Sequence, residues 1–260
     1  MQAAPIAFAL FEQQLPEVLF LSVRAGAAML AAPLFGAMSV PVQLRAFFGI
    51  VLAILIHQWM PLPPLPDLLS MAGMVAVIQE AVIGFALGFV LQIAFAIPLI
   101  AAEQIAGTMG MAMATSVDPA SGSQSGAIGQ MFSLTLIFVF LSLGAHLLWF
   151  ELLMDSYRAV PPGPLALSAE AMQRIVMFGG QMLATAAAIA LPVVLVLLLV
   201  QVATGVLSRS APSLNLFALG LPAGVLAGIA ALIVVLPVVI EQFAGVARVA
   251  VDQAAGVLLP

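Results

Sequence analysis

At 260 residues, 64% hydrophobic, 7% charged and with a mean hydropathy of +1.26, the chain carries more apolar surface than a water-soluble core of this size can hide, which excludes a soluble domain. The net charge of −5 includes six basic residues, all of them Arg (Arg24, Arg45, Arg158, Arg174, Arg209 and Arg248) and widely spaced, so no patch exists to hold a polyphosphate backbone, and nucleic acid is not expected as a partner. The absence of Cys excludes disulfides, thiolate nucleophiles and thiolate metal sites.

Apolar stretches run over residues 18–38, 46–60, 68–104, 127–154, 171–207 and 213–247. Six helical segments of an all-α membrane protein are therefore expected, within one domain spanning 1–260. Ahead of the first stretch stand Glu12 and Glu17 and no basic residue. That is the wrong charge for a cleavable signal peptide, so the mature chain is expected to begin near Met1. Arg24 lies inside this stretch and Glu80 inside the third. An unpaired charge in hydrocarbon costs at least ~2.5 kcal/mol, so each must face protein or water. Structural pairing or snorkelling is one reading, and a place in an ion or proton relay is the other. Connectors are marked by Pro41 to Arg45, by Pro61, Pro63, Pro64 and Pro66, and by Pro161 to Pro164.

The third, fifth and sixth stretches would each extend about 50 Å or more as straight helices, against a hydrocarbon slab of about 30 Å. Pro98, Pro192, Pro222 and Pro237 lie within them, so bent or split helices arranged as hairpins are expected. Arg residues occur on most connectors rather than on alternate ones, and the positive-inside rule gives no orientation.

Between the third and fourth stretches, residues 105–126 change character to Gly, Ala, Met, Ser and Thr, with Asp118 directly before Pro119. Non-helical backbone at membrane depth survives only inside protein or beside a water-filled path. Met109, Met111 and Met113 alternate with Gly107, Gly110 and small Ala residues, a deformable and polarizable set suited either to a seal or to filling gaps in a core. Ser121, Ser123 and Ser125 have no His at a usable spacing, so no serine hydrolase is expected. Nor is a metal site: Glu151, five residues from His146, lies on the wrong face, and His57 sits alone at a helix end.

Later in the chain, Arg209, Pro212, Ser213, Asn215 and Phe217 form a polar joint of helical-hairpin type. Gly220, Gly224 and Gly228 recur every four residues, as do Gly84 and Gly88, giving smooth strips for close helix approach, within this chain or against another subunit.

Taken in order, these residues resemble the flagellar biosynthetic protein FliR family, the export-gate subunit called SctT in virulence type III secretion. The likeness rests on Arg24, Pro33, Phe35, Gly36, Pro41 and Arg45; on Glu80, Gly84 and Gly88; and on Gly107, Gly110, Asp118 and Pro119. It continues through Gly144, His146, Ser156, Pro161 and Pro192 to the joint at Arg209, Pro212, Asn215 and Phe217. Ser213, where the family usually has Gln, and Ala223–Gly224, where a basic residue is common, depart from it. The resemblance implies a non-enzymatic subunit without cofactors, in a helical hetero-oligomeric gate with FliP-like, FliQ-like and FlhB-like proteins in the bacterial inner membrane. Much of that gate would project to the periplasmic side, and unfolded polypeptides would pass through it. A segment matching residues 106–126, with Gly107 and Gly110 as hinges, would plug the closed channel. Two other classes stay open: a secondary transporter with Arg24, Glu80 or Asp118 at a midplane site, and a purely structural membrane scaffold.

Overall fold

A computed structural model describes residues 3–36, 40–65, 70–111, 126–163, 167–210 and 216–258, with side chains described from residue 14 in the first segment and from residue 220 in the last. Among these residues every regular element is helical: α1 (Ala3–Ala31), α2 (Val42–Trp59), α3 (Met71–Thr108), α4 (Ala127–Ser142), α5 (Ala145–Ala159), α6 (Ala169–Ser210) and α7 (Leu216–Leu258). The all-α expectation holds, with one more helix than the six apolar stretches suggested. The extra one arises because stretch 127–154 breaks at Gly144, whose φ of +68° places it in the left-handed region that only a residue without Cβ enters cheaply. The prolines behave differently from a simple breaker. Pro98, Pro192, Pro222 and Pro237 all lie inside continuous helices, as they can in membrane helices where neighbouring groups take up the freed carbonyls.

Helix starts are set by side chains that the hydropathy pattern does not reveal. Ser70 Oγ accepts the Gly73 N–H at 2.9 Å and Ser168 Oγ accepts the Ala171 N–H at 3.1 Å, so α3 and α6 each begin on a serine N-cap that satisfies one orphan donor. Helix α2 ends at Met60, whose N–H bonds to Ile56 O at 2.9 Å; Pro61 follows and cannot continue the ladder.

Among the described residues, four helices are long and apolar enough to cross a membrane: α2, α3, α6 and the Gly220–Leu258 part of α7. The α4 and α5 pair makes a fifth if counted as one broken span. The most apolar window of α3 is 56% buried within the chain, whereas the corresponding windows of α6 and α7 are only 28% buried. Apolar surface of that extent has to meet lipid or other subunits, since water would not tolerate it. This is a membrane protein, and of these four candidate spans α3 is the most buried.

The chain forms two compact units. The first comprises Met1–Ile93, Gly144–Phe178 and Val249–Pro260. One of its cores gathers Phe20, Leu21, Ala53, Ile56, Met60, Ala76 and Tyr157, while Phe35 stacks on Trp149 at 6.0 Å and meets Phe150 edge-on at 5.2 Å. The second comprises Ala94–Leu143 and Gly179–Arg248. Inside it Phe95 meets Phe140 at 5.2 Å and Phe132 meets Phe243 at 5.7 Å, both near-perpendicular pairs of the kind that ring quadrupoles favour.

Candidate functional site

Two constellations stand out, one in each unit. In the first, Arg24 on α1 and Glu80 on α3 are partners: Nε donates to Oε2 and Nη2 to Oε1, both at 2.7 Å, with both side chains fully buried. The remaining guanidinium donors go to the end of α5. Nη1 donates to Ser156 O at 2.7 Å and Ser156 Oγ at 3.2 Å, and Nη2 donates to Val160 O at 2.9 Å. A guanidinium has five N–H groups, and here five hydrogen bonds use them all. Its positive charge also meets the carbonyl end of α5, the negative pole of that helix. The Tyr157 ring lies 4.3 Å from the Arg24 carbon Cζ, a cation–π contact that needs no further donor. Arg24 thus ties three helices together, α1, α3 and α5.

Tyr157 donates its hydroxyl to Leu21 O at 2.6 Å, joining α5 to α1 a second time. Tyr157→Phe keeps the ring over Arg24 and removes only this bond. The expected loss is about 1 kcal/mol, the net worth of one neutral hydrogen bond, read as a small fall in the melting temperature of the purified protein. A loss as large as that from deleting Arg24 would contradict this assignment.

The close contact of α1 with α3 depends on the first glycine strip. A Cβ on Gly84 would run into the carbonyl oxygen of Arg24, and one on Gly88 into that of Ala28 and, at 2.7 Å, into the Ala31 side chain. Gly84 and Gly88 therefore pack within this chain.

In the second unit, α3 ends in a turn that opens the Gly/Met segment. The Met111 N–H bonds to Ala106 O at 3.0 Å and the Gly110 N–H to Gly107 O at 3.1 Å. This is the paired arrangement of a Schellman stop, with Gly110 at φ +81° as its left-handed residue. Gly107 is the last-turn residue whose carbonyl this stop uses. Gln201 on α6 donates Nε2 to the adjacent Thr108 O at 2.7 Å. Met109, only 2% exposed, lies on the second glycine strip. A Cβ added to Gly228 would fall 2.6 to 2.8 Å from its Cε, Cγ and Sδ atoms, and one on Gly224 would fall 3.3 Å from its carbonyl oxygen. Beside this seat lies an apolar cavity of about 330 Å³ lined by Met109, Met111, Ile128, Met131, Ile229 and Leu232, among others. Gly220, third of the strip, differs: a methyl added there would have nothing among the described residues within 4 Å. Met113, Asp118 and Pro119 of the expected plug, and Pro212 and Asn215 of the joint, lie outside the described residues.

No group of three metal-ligating side chains exists among the described residues. His57 Nδ1 sits 3.4 Å from Glu17 Oε2, a contact at the end of α2. Tyr157, Gln201 and Leu221, whose Cδ1 would be 2.9 Å from a Cβ on Gly110, also touch these constellations and were not singled out by the sequence pattern. For Tyr157 the available signal was that it is the single Tyr of the chain, in the last turn of an amphipathic helix.

The family described as bacterial export proteins, family 1, matches residues 15–249, a span that includes both constellations. The chain belongs to this family. Among its relatives in the export family, the flagellar biosynthetic protein FliR of Pectobacterium carotovorum subsp. carotovorum is 31% identical, over 84% of this chain and 83% of its own length. FliR of Bacillus subtilis strain 168 is also 31% identical, over 86% and 87% respectively. The surface presentation of antigens protein SpaR of Salmonella typhimurium is 33% identical, over 66% of this chain and 64% of its own length. These relatives are named for flagellar biosynthesis and for the surface presentation of antigens. As a member of this family, the chain is a bacterial export protein.

Proposed function

We propose that this chain is a core subunit of the flagellar type III protein export gate in the bacterial inner membrane. It forms part of the channel through which unfolded proteins cross, beside FliP-like, FliQ-like and FlhB-like subunits. The family match over residues 15–249 carries the reading. The flagellar rather than the virulence system is favoured because FliR relatives align over 83% and 87% of their own length, against 64% for SpaR. The largely uncovered apolar windows of α6 and α7 supply faces for neighbouring subunits as well as lipid, in keeping with a chain that acts as one gate subunit over 1–260.

The segment 106–126, with Met109, Met111 and Met113, blocks the closed path until a substrate displaces it. Support comes from its start: α3 stops at Gly110 and delivers Met109 and Met111 to an apolar cavity. Arg24, with all five donors occupied inside the protein, has none left for a transported solute, which weighs against the secondary-transporter reading. Driving force is supplied by other components of the machine.

Two measurements test this. Co-expressed with the partner candidates, the tagged chain is expected to purify as a complex with them. In cells holding that complex, deleting residues 109–113 is expected to raise membrane ion conductance. A normal complex with unchanged conductance would end the plug assignment, and a stable, solitary chain would end the gate assignment.

A further inference from the structure

We propose that a groove between α1 and α2 holds an anionic glycerophospholipid, with one acyl chain along the groove and the headgroup phosphate at Arg45. The site lies wholly within the first unit. It is separate from the gate reading and needs only that the chain sits in a membrane.

Small residues make the groove. Gly49 of α2 comes so close to α1 that a Cβ there would fall 3.3 Å from Gly26 N. Beside this crossing Gly26, Ala27 and Ala46 leave a notch of about 400 Å³. It follows α1 from Ser22 to Leu30, about 12 Å at the helical rise, which is long enough for a segment of one acyl chain.

Small residues alone would equally admit a helix of another protein; exposure and charge decide for lipid. Of the four candidate spans, α2 is the least covered by the chain, its window only 17% buried. Its 18 residues extend about 27 Å against a hydrocarbon slab of about 30 Å, so its first turn stands at headgroup level. Arg45 is in that turn and is the one charged residue lining the groove. Its Nη2 donates to Val40 O at 2.8 Å, which holds the guanidinium at the connector end of the notch. The first turn of α2 contains no acid and Pro41 supplies no capping side chain, so the positive pole of the helix adds to the Arg45 charge there. A phosphodiester meets that charge, and guanidinium–phosphate contacts are among the strong charge-assisted ones. A net-negative headgroup fits better than a zwitterionic one, because no acid lines the groove to meet an ammonium group. Free phosphate would leave the apolar notch empty.

The full chain, purified with the partners that stay bound to it, tests this in phosphatidylcholine vesicles containing a phosphatidylglycerol with a diazirine on one acyl chain. Light expels dinitrogen from the diazirine, and the resulting carbene inserts into a nearby C–H bond. Adducts at Gly26, Ala27 and Ala46, counted relative to those on the rest of the chain, are the expected result. A Cβ on Gly26 would meet nothing within 4 Å, so Gly26→Leu fills the notch and should abolish the groove adducts. Arg45→Gln should lower them about tenfold, the effect of losing one charge-assisted contact. If that variant fails to fold, the headgroup is changed instead: phosphatidylcholine carrying the same diazirine should label the groove of the unaltered chain about tenfold less. Equal labelling by the two lipids, or undiminished adducts in Gly26→Leu, would overturn the proposal. So would displacement of the label by excess inorganic phosphate, an absence of groove adducts, or a helix of another subunit found cross-linked there in place of lipid.

Discussion

Arg24→Ala is expected to deplete the folded subunit from the membrane, with a loss of about 3–5 kcal/mol, the range seen when one member of a buried ion pair is removed. The size follows from what is left behind. Glu80 is fully buried and both its oxygens accept from Arg24, so its carboxylate would remain in a low-dielectric interior with no counter-charge. The Ser156 and Val160 carbonyls at the end of α5 would lose their donor in the same step. Arg24→Lys restores the charge but not the fork, since an ammonium presents three donors from a single point, and an intermediate loss is expected. Replacing both residues, Arg24→Met with Glu80→Leu, should recover part of the stability because no unpaired ion remains. It should not recover all of it, since the α5 carbonyls stay bare. Abundance in membranes and thermal melting of the purified complex measure each case. An Arg24→Ala protein that accumulates and melts like its parent would sink the account. Glu80→Gln separates structure from ion coupling: a variant with normal stability and abolished export would revive the relay reading.

Much of this arrangement could be read from the sequence, and the gaps have physical causes. Arg24 and Glu80 stood out because a charge in an apolar stretch must be answered. That they answer each other was not legible, because 56 residues separate them and no local period links α1 to α3. The Pro-rich connectors at 61–66 and 161–164 marked helix ends correctly, yet the prolines inside α3, α6 and α7 ended nothing. In water a missing N–H gives solvent an opening, whereas inside a membrane bundle the helix has no better alternative. Gly144 was the converse case, a single residue in an unbroken apolar run whose left-handed backbone divides α4 from α5. Hydropathy weighs side chains and does not see backbone handedness. The Gly-x-x-x-Gly spacing pointed to close packing, but spacing alone does not name what packs there. One strip receives the backbone of α1, the other the side chain of Met109, and Gly220 receives neither.

That contrast among glycines of identical spacing makes the second large prediction. Gly84→Leu is expected to destabilise the protein by about 3 kcal/mol, at the upper end of what overpacking costs, while Gly220→Ala should be neutral or stabilise by up to about 1 kcal/mol through better helix propensity. The difference lies in what the new Cβ meets. At Gly84 it meets the Arg24 carbonyl oxygen, with the Arg24 carbonyl carbon and Cα at 2.9 and 3.0 Å; these are backbone atoms of a continuous helix and cannot swing aside as a side chain does. Helix α1 must then retreat from α3. Because Glu80 is one turn before Gly84, on the same face, that retreat also pulls apart the 2.7 Å contacts between Arg24 and Glu80. Packing and electrostatics fail together, so the effects of Gly84→Leu and Arg24→Ala should not add. The double variant is expected to be little worse than the worse single one, as for residues that share one interaction. Melting temperatures of the two single variants and the double variant decide it. Full additivity would mean that the glycine contact and the ion pair act independently, and that α1 is not held to α3 in the way described.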